Sequence, residues 1–78
     1  MPILARDAAL AAKKYFDELV GPLPGLTLEE VKRTDEAWVV TFSYFQNLAS
    51  TRKSYKVLTV EPETGEVLSM INAEPTSV

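Results

Sequence analysis

The chain contains neither cysteine nor histidine. That removes disulfides, Cys/His zinc centres, haem and iron–sulfur ligation, and the His- or Cys-based routes to nucleophilic catalysis. Glycine is scarce as well. Two of the three flank the prolines of GPLPG (residues 21–25) and the third closes PETG (62–65), so no Gly-rich loop is present to cradle a phosphate. No apolar run approaches the roughly 18 residues of a membrane span. The opening MPILARDAAL has no basic start, and Arg6 and Asp7 interrupt its apolar stretch. It does not read as a signal peptide, and the expected compartment is the cytoplasm. Charge is not strongly one-sided: 11 acidic against 8 basic residues leave −3. This argues against phosphate-driven nucleic-acid binding and implies no cationic partner.

At 78 residues the chain reads as one domain, 1–78. A chain of this size buries only about 60% of its unfolded surface. Without disulfides or a metal, it depends on good packing or on oligomerisation. The GPLPG cluster divides a helical segment from a strand-rich one. Residues 3–20 read as a helix, with Ala5, Ala9, Ala12, Phe16 and Leu19 on one stripe, widened by Ala8 and Tyr15. Gly21 is a natural residue just past the helix end, and Pro22 blocks continuation.

After GPLPG the apolar period becomes two. Strands are expected at about 26–34, 37–45, 53–61 and 66–73, with a loose tail at 74–78. The first strand slips its alternation near Glu29–Glu30, which suggests a bulge. No helix-length crossover separates the strands, so the fold class is α+β: one N-terminal helix packed on a curved four-stranded antiparallel meander. In PETG, Pro62 presets φ for a type I turn and Gly65 supplies a left-handed residue. That register sets Val60 opposite Val67 and points Leu68 and Met70 to the other side. The helix is then expected to cover Trp38, Val40, Phe42, Leu58, Val60, Val67 and Ile71. The far face would carry Val39, Thr41, Phe45, Tyr55, Val57, Leu68 and Met70, more apolar than a solvated face should be.

Candidate chemistry is sparse. Ser43, Ser50, Ser54 and Ser69 sit in no G-x-S-x-G or S-x-x-K context. The acidic groups Glu29–Glu30, Asp35–Glu36 and Glu61/Glu63/Glu66 read mainly as solvated acids. A small meander offers little volume for a substrate cleft, and the 61–66 spacing matches no EF-hand loop. No enzymatic activity, cofactor, metal or small-molecule substrate is expected. Arg52, Lys53 and Lys56 beside Tyr55, with Lys32 and Arg33, could form a weak single-stranded nucleic-acid patch or a solvated, aggregation-resistant edge. Trp38, the only tryptophan, reads as a core anchor or as a binding residue.

Ala8, Ala12 and Phe16, then Val39 to Phe42, then Tyr55, Val57, Val60, Thr64, Gly65, Glu66 and Val67 together resemble the PepSY-type small bacterial domains. These sit within the cystatin-like architecture of a helix wrapped by an antiparallel sheet. The resemblance implies a non-catalytic domain that binds or restrains peptidases or regulates a neighbouring domain. QNLAS, residues 46–50, is similar to the Gln-x-Val-x-Gly segment of cystatin inhibitors. Gln46 matches, Leu48 is similar to the Val, and Ser50 departs from the Gly that frees the loop tip. This implies peptidase inhibition through the 46–52 loop as an alternative.

The leading expectation is a small interaction domain that self-associates, as a homodimer, or binds a protein partner through the open sheet face. The residues expected to carry it are Phe45, Gln46, Asn47, Tyr55, Val57, Leu68 and Met70.

Overall fold

The computed structural model describes residues 2–21, 25–45 and 52–73. Pro22 and Pro24, the loop residues 46–51 (with Gln46 and Asn47) and the tail 74–78 lie outside the described residues. The first element, α1 (Ala5–Leu19), buries Ala8, Ala12 and Phe16, an unbroken i, i+4 line. Leu19, expected in the buried stripe, is 61% exposed, and Ala5 is exposed too. Alanines on neighbouring positions fit a sheet equally well, so the roll of this helix is set by its few large side chains, with Phe16 inward and Tyr15 flanking. At its start the Asp7 carboxylate accepts the Leu4 N–H at 3.2 Å, an anion in the first turn. At its end the N–H groups of Val20 and Gly21 both reach the Phe16 carbonyl, at 2.8 and 3.4 Å. Gly21 takes φ +87°, the left-handed residue that ends the helix.

Four strands follow: β1 (Thr27–Arg33), β2 (Trp38–Tyr44), β3 (Ser54–Val60) and β4 (Val67–Ala73). They pair in the order β1-β2-β3-β4, antiparallel throughout, as the short connections require. The β1–β2 turn is closed by Thr34. Its N–H and hydroxyl donate to the Ala37 carbonyl (2.8 and 3.0 Å), and its Oγ1 accepts the Ala37 N–H (3.1 Å). PETG is a hairpin turn. Gly65 N–H donates to the Glu61 carbonyl at 2.9 Å, and Glu61 N–H to the Glu66 carbonyl at 2.7 Å. The Glu61 side chain serves the turn, since its Oε1 accepts the Glu63 N–H at 2.8 Å.

Gly65 sits at φ +78°, and a Cβ there would meet Ile3 Cδ1 at an ordinary 3.7 Å. The expense of Gly65→Ala is therefore backbone strain alone. It is expected to remove about 1–2 kcal/mol, read by urea unfolding; an unchanged midpoint would show that the turn relaxes freely.

Two bulges set which side chains face the helix. In β1, Leu28 pairs with Phe42 and Glu30 with Thr41, leaving Glu29 as the extra residue at the expected slip. In β4, Val67 pairs with Val60 and Ser69 with Thr59, so Leu68 is extra. That second bulge corrects the expected faces. Beyond it Met70 lies opposite Leu58 and packs against the core, while Ile71 lies opposite Val57 on the side away from the helix. The core is Ala8, Ala12 and Phe16 against Val40, Phe42, Tyr44, Leu58 and Val60. The Phe16 ring stands 5.8 Å from Phe42 and 5.7 Å from Tyr44.

Trp38 packs against this core, in line with the anchor reading. Its Nε1–H donates to the Ile3 carbonyl at 3.3 Å, and the Arg33 guanidinium lies 5.8 Å from its ring centroid, within cation–π range. Ile3 N–H in turn donates to the Pro62 carbonyl at 2.7 Å. The segment before the helix is thus held between β2 and the last hairpin turn.

Candidate interaction surface

With α1 on one side, the sheet presents a second face. Residues opposite each other in an antiparallel ladder share a face, so the register gives its rows directly. Lys32, Val39, Thr59 and Ser69 form one row; Glu30, Thr41, Val57 and Ile71 the next. Thr27, Ser43 and Tyr55 follow. Val39, Tyr55 and Val57 are half-buried and Ile71 is 58% exposed. The apolar part therefore runs along the β3–β4 half, and charged Glu30 and Lys32 mark the β1 border. Leu68, 52% exposed, sits on its bulge at the β4 edge.

Of the expected partner residues, Met70 lies on the other side and Phe45 has a contact of its own. Met70 is turned to the helix side by the Leu68 bulge, and Ile71 takes its position on the open face. Phe45 follows β2, and a Cβ on Gly25 would come within 2.6 Å of its Cδ2. Its ring therefore lies on Gly25, which has φ +69°, and covers the chain before β1. Tyr55 and Val57 stand on the open face as expected.

The Glu29 bulge makes a polar contact that sequence reading did not foresee. Ser43 is fully buried, and its hydroxyl donates to Glu29 Oε2 at 2.5 Å. Lys53 Nζ is 3.7 Å from the same oxygen. A serine, a carboxylate and an ammonium thus meet at one corner of the open face. The serine has no solvent access and its proton is already committed, so the cluster satisfies a buried hydroxyl. The expected basic residues do not all share one face. Lys53 and Tyr55 belong to the open face, while Lys56, opposite Phe42 and Asn72, is on the helix side. There its Nζ donates to Asn72 Oδ1. Arg33 is engaged with Trp38 near the other end of the sheet.

A shallow groove of about 370 Å³ runs between helix and turn, lined by Ala11, Lys14, Tyr15, Glu18, Gly65 and Val67. Its charged members are surface residues of the helix. Among the described residues no three acidic side chains converge as a metal site requires. Nor, among them, is any helix long and apolar enough to cross a membrane. Comparison with protein-family models, with curated proteins and with solved structures finds no match for this chain.

Proposed function

We propose that this is a small non-enzymatic protein-interaction domain that associates, with itself or with a protein partner, through the open face of its sheet. The supporting observation is an apolar stretch that the helix leaves uncovered: Val57 opposite Ile71, with Tyr55 and Val39 at neighbouring positions and Ile71 more than half exposed. Exposed apolar surface of this kind is what interaction sites present. Among the described residues the core comprises eight buried side chains, and a core this small with no disulfide leaves room for association to add stability. The residues assigned to contact are Tyr55, Val57 and Ile71, with Leu68 at the rim. The PepSY-like alternative draws on the same order of one helix and four strands, and would act through the 46–52 loop. The uncovered face favours the sheet.

Sedimentation at micromolar concentration tests the reading. The wild-type chain is expected to sediment as a dimer. Tyr55→Ala with Val57→Ser should sediment as a folded monomer, with its circular dichroism unchanged. A monomeric wild type removes self-association, and a double variant that unfolds shows that these side chains serve the core.

A further inference from the structure

The two edges of this sheet differ, and the difference points to a partner. Edge strands expose unpaired N–H and C=O groups, which proteins normally protect with charge or bulges. The β1 edge is protected both ways: Glu29, Glu30, Lys32 and Arg33 occupy four of its seven positions, and Glu29 is bulged. The β4 edge, Val67–Ala73, is VLSMINA, without charge or proline. Its only irregularity is Leu68, so Ser69 to Ala73 is a regular ladder against β3 with nothing on its outer side among the described residues.

We propose that β4 pairs antiparallel with β4 of a second copy, about a two-fold axis beside Ile71, joining two sheets into one of eight strands. Charge selects the second copy. Each chain carries −3, so two copies meet at least cost where no like charges are brought into contact, and β4 is the uncharged edge. The strand also matches itself. A two-fold at Ile71 sets Ser69 against Ala73, Met70 against Asn72, and Ile71 against its own equivalent. Every pair shares a face and none places like charges together, as an isologous contact requires. Ile71, 58% exposed, becomes the centre of the contact, and the two open faces become continuous. This deepens the reading above and rests on it, since it names the partner and the line along which the open face is extended.

The test uses the full chain with Ile71→Lys and Ile71→Glu. Each variant alone is expected to keep its fold by circular dichroism and to dimerise about 100-fold more weakly or worse, because like charges then oppose each other at the axis. Mixing the two should restore the dimer. Amide exchange within residues 69–73 should slow as wild-type concentration rises. Dimers that persist in both single variants, or edge amides whose exchange ignores concentration, overturn the edge pairing. If Tyr55→Ala with Val57→Ser abolishes the dimer while the wild-type amides of 69–73 exchange independently of concentration, the open-face reading stands and the edge falls. The converse pattern, a dimer kept in the Tyr55/Val57 variant and lost and rescued at Ile71, retires the face and keeps the edge. A monomeric wild type removes both.

Discussion

Replacing Phe42 with alanine is expected to remove about 3–5 kcal/mol of stability. Domains of this size hold only about 5–10 kcal/mol, so the variant should be largely unfolded at moderate temperature. The reason is local. Phe42 is 3% exposed, sits in the central pair of strands, and meets the Phe16 ring at 5.8 Å. Ala8 and Ala12, the other buried helix residues, are too small to fill the vacancy. Phe16→Ala should cost a similar amount. Because the rings touch, the double variant should fall short of the summed losses by about 0.5–1.5 kcal/mol. Urea titration of the single and double variants measures this; full additivity would mean that the aromatic contact contributes nothing of its own.

The second large effect separates two adjacent residues. Met70→Asp should destabilise the fold by about 3 kcal/mol, since it places a carboxylate on the side that packs against Leu58 and the helix. Ile71→Asp should leave the monomer within about 0.5 kcal/mol of wild type. Both are to be measured by denaturant titration of dilute protein, where self-association adds nothing to stability. The contrast depends wholly on the Leu68 bulge. Without it the strand alternation is inverted, and Ile71→Asp would be the damaging change.

That bulge also marks where the sequence stopped being legible. The helix, the four strands, their order and the PETG turn follow from period and turn chemistry. The strand ends differ from expectation by one residue, which is the fraying of a ladder's last pair. The Glu29 slip was visible because two consecutive glutamates break an alternation. In VLSMIN the alternation reads smoothly either way, so the period carries no signal. A cue was present in chemistry rather than in period: the unbulged register puts Ser69 in the core between Val67 and Ile71, with no partner for its hydroxyl. Weighing that misfit would have exchanged Met70 and Ile71. The Ser43–Glu29–Lys53 corner was beyond pattern reading, because it joins three strands' ends through a bulge whose direction only the folded ladder defines. The contact of Phe45 with Gly25 was hidden for a related reason: alternation says which face a ring occupies, but not that a glycine on the neighbouring segment lies beneath it.

The hydrogen bonds of Ile3 have a consequence for how the chain assembles. Every strand in this sheet pairs with its neighbour in sequence, so each hairpin closes a short loop at small entropic cost. The helix is different. Its approach to the sheet is secured by Ile3, whose partners are Trp38 and Pro62, the latter a whole meander away along the chain. The widest sequence separations in the molecule therefore belong to the helix and the segment before it. On topology, docking of that helix is expected to be the slow, costly part of the search.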